Sequence, residues 1–443
     1  MVLGPREVGF LRMCSAPGMS APAQADKIEE RRKKLAQRSP IRKSKRRGAA
    51  TEAAPIAQID QGDGSMTTLK TMALAAAVST LALAAGAETK IGMITTLSGG
   101  GAGLGVDVRD GFMLAMEQAG RDDIEVVIED DQRKPESAVQ IADQMIQSEK
   151  VDIMTGIIWS NLAMAVVPAA TAQGVFYLSP NAGPSALAGK RCHENYFNVA
   201  WQNDNLHEAA GAYANDADLK NSYILAPNYP AGKDALTGYK RMYKGDLAGE
   251  TYTKLGQTDY AAEIAQIRAS GADSVYFFLP GGMGISFLKQ YADSGVELPV
   301  VGPAFSFDQG ILQAVGGAAL GIKNTSQWNK DLDNPANTAF VAAFEQKYER
   351  LPSLYASQGY DTANLILSAL DKASVDDKDA FRTALKAANF ASVRGDFKFG
   401  DNHHPIQNIY VREVIQEGDV FTNKIIATGL ENHADAYAAE CKM

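Results

Sequence analysis

From Lys90 onward the chain alternates short, nearly all-apolar runs with longer runs whose apolar residues recur every three or four positions. Lys90–Thr95, Ile124–Ile128, Val151–Ile158 and Val175–Ser179 are β-rich runs, and the spacing between them predicts helices over Asp107–Gln118 and Leu162–Gln173. A third helix opens at Pro135 and carries Ala138, Ile141, Ala142, Met145 and Ile146 on one face. The pattern then restarts. Strands over Tyr223–Pro227, Ser274–Leu279 and Val300–Gly302 are separated by helices over Lys233–Tyr243, Tyr260–Ser270 and Met283–Ser294. Strands that are apolar on both faces suit a parallel sheet covered by helices on both sides, so an α/β chain with two successive doubly wound sheets is expected. The last third is less regular, with helices over Asn337–Tyr348, Thr362–Ala373 and Lys378–Asn389 and strands over Phe397–Phe399 and Ile409–Ile415. These late elements can return to the first sheet and then to the second.

The first ninety residues follow neither pattern. Residues 1–65 lack a sustained apolar period and hold 13 Lys/Arg against 7 Asp/Glu, including Arg31-Arg32-Lys33-Lys34. They read as a disordered or mis-assigned extension, and the basic runs as a solvated tail, a nucleic-acid contact or an address. At Met66 a short basic segment with Lys70 is followed by an apolar stretch from Met72 to Ala84 and then by Ala85-Gly86-Ala87. This is the form of an export signal over 66–87 cleaved near Ala87, and the stretch is shorter than the ~20 apolar residues a bilayer requires. No Cys follows it, so no membrane anchor is expected, and the natural start is placed at Met66.

Charge separates the two parts further. The chain's net charge is −9, yet residues 66–443 hold 30 Lys/Arg against 45 Asp/Glu, which argues against a nucleic-acid or anionic-membrane surface. Cys192 and Cys441 are the only cysteines after the export signal, and an isolated pair in an oxidising compartment is expected to bond.

Several stretches then carry a resemblance. Gly92-Met93-Ile94-Thr95-Thr96-Leu97-Ser98-Gly99, Tyr177-Leu178-Ser179-Pro180-Asn181-Ala182-Gly183, the run Thr258–Asp273 and Gly359-Tyr360-Asp361-Thr362-Ala363 follow one another in the order found in type I periplasmic binding proteins of the leucine/isoleucine/valine family. Leu225–Lys233 resembles the branch of that family that binds aromatic acids. The resemblance implies two α/β lobes joined by a three-segment hinge, a Venus-flytrap that closes on its ligand. It places lobe 1 at 88–203 plus 329–394, lobe 2 at 204–328 plus 395–428, and a C-terminal tail at 429–443. It implies a periplasmic, monomeric capture protein that delivers a small carboxylate to an ABC transporter permease, with no cofactor. A periplasmic sensor feeding a receptor is the alternative.

Ligands of doubly wound sheets sit outside the carboxyl ends of strands, where helix N-termini offer unpaired N–H groups. That rule selects Ser98, Trp159, Ser160, Asn161, Asn181, Ala182, Gly183, Tyr229, Gly281, Ala304 and Phe305 as candidate ligand contacts. By the resemblance, Ser160-Asn161 and Asn181-Ala182-Gly183 would hold the carboxylate and Tyr229 would close over it. A capping role competes at Ser160 and Asn161, and a purely structural one at Tyr229 and the other aromatics. Where amino-acid binders of the family place an acid for the ligand's ammonium, this chain reads Gly302-Pro303-Ala304-Phe305. A ligand without an α-ammonium is therefore expected, unless Asp308 or Asp361 restores the charge.

Other signals are set aside. The run Gly99–Gly105 lacks the lysine of a phosphate loop, and His403-His404 is read as a surface turn rather than a metal site. With no nucleophile, metal or cofactor motif, no enzyme is expected.

Overall fold

The computed structural model describes residues 89–443. The extension at 1–65 and the export signal at 66–87 lie outside the described residues.

The first sheet is entirely parallel, in the order β2-β1-β3-β4-β5. Its strands are β1 (Thr89–Thr95), β2 (Ile124–Asp130), β3 (Ile153–Thr155), β4 (Phe176–Ser179) and β5 (Tyr196–Asn198). The inner strands β3 and β4 are buried throughout, as their unbroken apolar runs require, while the edge strand β2 is half-exposed and carries Glu125 and Glu129. Helices Ala102–Ala119, Pro135–Gln144 and Ser160–Ala172 cover it, joined later in the chain by Pro335–Tyr348, Leu354–Leu370 and Lys378–Ala387. Leu354–Leu370 lies directly on Ala102–Ala119, and the approach needs two glycines. A Cβ on Gly111 would stand 1.9 Å from the Ala356 carbonyl oxygen, and one on Gly359 2.0 Å from that of Val108.

The second sheet has the order β11-β12-β10-β9-β8-β6-β7, with β13 paired to β12. Its parallel part is β6 (Asn221–Pro227), β7 (Asp246–Thr253), β8 (Ser274–Phe277), β9 (Val300–Pro303) and β10 (Lys323–Ser326). β11 (Lys398–Phe399), β12 (Pro405–Glu417) and β13 (Val420–His433) complete it as antiparallel strands. Helices Asp204–Asp216, Pro230–Met242, Ala261–Ala269, Gly282–Asp293 and Gln309–Val315 belong to this lobe.

The chain therefore passes between the lobes three times, after β5, after β10 and before β12. The hinge is tied by a buried ion pair. Asp361 Oδ2 accepts from Arg394 Nε at 3.0 Å, and Arg394 Nη1 also donates to the Val199 carbonyl at 2.7 Å. Asp361 is thus committed within the hinge and supplies no charge to a ligand.

Two further expectations change. His403 and His404 form no surface turn: both are buried, His403 stacking on Phe197 with ring centroids 4.0 Å apart. Residues 429–433 continue β13 instead of forming a tail, because Leu430 and His433 still pair with Ile409 and Gln407. Beyond them, Cys441 is bonded to Cys192 with their Cα atoms 5.6 Å apart.

Candidate functional site

The two lobes meet around a narrow, partly open cleft, and its wall is assembled from strand ends and helix starts. From the first lobe come Leu104, Ile158, Trp159, Ser160, Asn181 and Tyr355; from the first crossing and the helix it leads into, Trp201, Asn203 and His207; from the second lobe, Tyr229, Ala231, Phe278, Pro280 and Phe305. The wall contains no Asp, Glu, Lys or Arg.

β3 ends at Thr155 and the chain turns to start a helix at Ser160, with Trp159 in extended conformation as its N-cap. Trp159 makes no side-chain cap; its carbonyl accepts from the Leu162 and Ala163 N–H groups at 3.0 Å, and the Ser160 and Asn161 N–H groups have no partner among the described residues. The Trp159 ring is held in place by its own hydrogen bonds. Its Nε1 donates to Thr96 Oγ1 at 2.9 Å, and Thr96 in turn donates to Asp131 Oδ1 at 2.7 Å. Arg133 lies over the same ring at 5.2 Å. Ser160 Oγ accepts from Asn203 Nδ2 at 3.1 Å, and its own O–H has no acceptor among the described residues. Asn181 Nδ2 donates to the Ile158 carbonyl at 2.6 Å, while its Oδ1 has no partner among the described residues.

The opposite wall is aromatic. Trp159 and Tyr229 centroids stand 6.4 Å apart, Tyr229 and Phe278 stack at 6.3 Å, Phe278 meets Phe305 edge-on at 5.4 Å, and Phe305 meets Trp201 at 4.8 Å. The four bulky rings of the second lobe and crossing close around the space that Trp159 bounds from the first lobe. Burial raises the Tyr229 hydroxyl well above its usual range, so it stays protonated.

His207 packs against Phe278 at 5.0 Å, and burial pushes its imidazole down to about 3, so it is neutral. Its Nδ1 is hydrogen-bonded to the Tyr276 hydroxyl, which burial keeps protonated. If Nδ1 carried the proton, the buried Tyr276 O–H would be left without an acceptor. The network therefore assigns Tyr276 as donor and places the imidazole proton on Nε2.

Of the residues selected from sequence, Trp159, Ser160, Asn181, Tyr229 and Phe305 are brought together here. The remaining six lie elsewhere. Ser98 is exposed and bonds Asp130; Asn161 is half-buried on the helix side. The Ala182 carbonyl is taken by Ser179, Tyr196 and Asn198, and the Gly183 N–H by Asn203, so this loop braces the wall from behind. Ala304 is fully buried beside Phe305. Gly281, with φ +64°, lines a wider gap at the mouth between the lobes together with Gly99, Asp107 and Asp308. Asp308 also faces away from the wall, accepting the Leu354 N–H at 3.3 Å.

Sequence reasoning did not select Trp201, Asn203, His207, Phe278 or Tyr355. Phe278 directly follows β8 and was within reach of the strand-end rule. Trp201, Asn203 and His207 follow a crossing between sheets, which carries no periodic signal.

A profile of the periplasmic binding protein family matches residues 88–419. The Leu/Ile/Val-binding protein homolog 6 of Brucella melitensis is 28% identical over 384 residues, covering 81% of this chain and 97% of its own length. Among solved structures, a solute-binding protein of an ABC transporter from R. palustris, in complex with benzoate, is 32% identical with a TM-score of 0.76, covering 80% of this chain and 99% of that one. A second, from Rhodopseudomonas palustris BisB5 in complex with 3,4-dihydroxybenzoic acid, is 25% identical with a TM-score of 0.72, covering 79% and 98%.

Proposed function

The chain belongs to the periplasmic binding protein family, in its type I form, and from that premise we propose that it captures a small aromatic monocarboxylate for delivery to an ABC importer. The observation that carries this reading is the cleft wall: aromatic on most sides, hydrogen-bonding at one end, and free of any charged side chain. An α-amino acid would bring an ammonium group into it, and an unpaired buried ammonium is costly. A carboxylate is better served. The free O–H of Ser160, the uncapped N-terminus of the helix it begins and the Nε2–H of neutral His207 are all donors.

Capture needs no bond-breaking. A ligand touching both walls favours the closed arrangement, and closure removes the ring from water. Among the described residues no helix is long and apolar enough to cross a membrane. The segment 66–87 would direct export to the periplasm, and the importer's permease would recognise the closed form.

Calorimetry on the protein from Glu88 onward tests the reading. Benzoate is expected to bind one-to-one at micromolar concentration or tighter, and leucine to give no heat. Micromolar leucine binding with silence toward benzoate and its ring-hydroxylated relatives would overturn it.

A further inference from the structure

Asp234 lies outside the cleft, buried on the second-lobe helix Pro230–Met242. Both of its oxygens are nevertheless turned toward the first lobe and the hinge. Oδ1 accepts from Ser185 Oγ at 2.7 Å, and Oδ2 accepts from the Ser185 backbone N–H at 3.0 Å and from Asn203 Nδ2 at 2.9 Å. Ser185 follows β4 and belongs to the first lobe, so two of these bonds exist only while the lobes are together.

Asn203 occupies the first crossing and is used completely. Its Oδ1 accepts from the Gly183 N–H at 3.1 Å, its backbone N–H donates to the Gly183 carbonyl at 2.8 Å, and its Nδ2 is shared between Asp234 Oδ2 and Ser160 Oγ. A carboxylate can only accept. A backbone N–H can only donate, so the Gly183 N–H and the Asp234 carboxylate together fix which end of the Asn203 amide is the NH₂ group, and that NH₂ group can only donate to Ser160. With its lone pair engaged, Ser160 must direct its hydrogen elsewhere, and the remaining direction is the cleft it lines.

We propose that Asp234 is a positioning residue that couples lobe closure to ligand polarity: it latches Ser185 of the first lobe to the second lobe and, sharing the Asn203 amide with Gly183, steadies Ser160 as a hydrogen-bond donor toward the ligand's carboxylate. The proposal rests on the reading of the cleft as an anion-capturing site and extends it to a residue that no ligand touches. The relay also accounts for anion preference without a cation. The Gly183 N–H and the second-lobe carboxylate together set the direction of the line, and the line ends in an O–H.

The test is a double-mutant cycle on the exported protein with benzoate as probe, reading affinity by calorimetry and dissociation by stopped flow. Asp234→Ala is expected to raise Kd by about tenfold to a hundredfold, chiefly through faster dissociation, in keeping with loss of hydrogen bonds to a charged group. In combination with Ser160→Ala the losses should fall short of additive, since the first change already loosens the Asn203 contact that steadies Ser160. Asp234→Asn, which can still offer one oxygen to Ser185 or Asn203, should recover part of the affinity. Fully additive losses, or an Asp234→Ala protein that is folded and releases benzoate at the wild-type rate, would overturn the relay. Small-angle scattering without ligand supplies an arm independent of ligand identity: Asp234→Ala should have the larger radius of gyration, and equal radii count against the latch. If wild-type protein ignores aromatic carboxylates altogether, the ligand class fails while the scattering comparison still decides the latch.

Discussion

On the first-lobe side, the cleft is bounded by Ser160, Asn181 and the hinge residue Asn203, short polar side chains whose orientation is set by other protein groups. On the second-lobe side it is bounded by Tyr229, Phe278 and Phe305, rings that touch one another. The first wall discriminates chiefly by direction of hydrogen bonding; the second, beyond His207 Nε2 and the Tyr229 hydroxyl, discriminates by shape and by exclusion of water. Such a division lets one lobe hold a ligand's head before the other arrives. It also means that each wall should fail in its own way when altered.

The largest effect is expected where a charge enters the polar wall. Ser160→Asp sets a carboxylate against the ligand's own, and benzoate affinity should fall by more than roughly a hundredfold in calorimetry, with little change in melting temperature. Retention of wild-type affinity would show that the head group does not sit there. Phe305→Ala removes one ring from the apolar wall. Burial of such a ring contributes ~1.5–3 kcal/mol, so Kd should rise roughly tenfold or more for every aromatic acid alike, without altering their rank order. A change of rank order would mean that this wall also reads polarity.

Tyr229→Phe separates ring from hydroxyl. A loss of about 0.5–1.5 kcal/mol, a few-fold in Kd, is expected if the hydroxyl meets the ligand, and none if the ring alone matters. The last effect concerns pH. Burial, followed by the neighbouring Asp107, raises Asp308 to about 7, while Arg412 opposes the rise; Arg350 pairs with Asp107 nearby. Because the carboxyl is enclosed when Leu354 of the first lobe docks on it, the closed form takes up a proton that an ordinary carboxylate would release below pH 4. Affinity should therefore strengthen as pH falls from 8 to 6, by up to the roughly tenfold that a full shift on closure would give and by less where the open form is already partly raised. Asp308→Asn should flatten that profile, whereas His207→Gln should leave its slope intact, since His207 is neutral across the range.

The parallel core of both lobes was legible because β1, β3, β4, β6 and β8 are built around short apolar runs set between helices. What escaped was polar or short. β7, reading Asp246-Leu247-Ala248-Gly249-Glu250-Thr251-Tyr252-Thr253, lies exposed at a sheet edge where alternation has no core to face, and β13 is a largely exposed ribbon. β5 and β10 are three and four residues long. The buried histidines at 403 and 404 were misread because a polar pair beside Gly400 and Pro405 has the composition of a turn. Only the fold supplies Phe197 and Tyr196 to cover them. The same limit applied to the site. Strand-end logic found Trp159, Ser160, Asn181, Tyr229 and Phe305, all at loops the sheet order predicts. Asn203 and His207 follow a crossing, where position depends on how two sheets are set against each other.

The Cys192–Cys441 bond spans 249 residues of sequence. Everything from the end of the first sheet through the whole of the second lobe therefore lies inside one covalent ring, and Tyr437, four residues before its closure, donates to Asp204 of the second lobe at 2.9 Å. The ring cannot close until residue 441 has been synthesised and has reached residue 192. Oxidation is thus a late event in the life of each molecule.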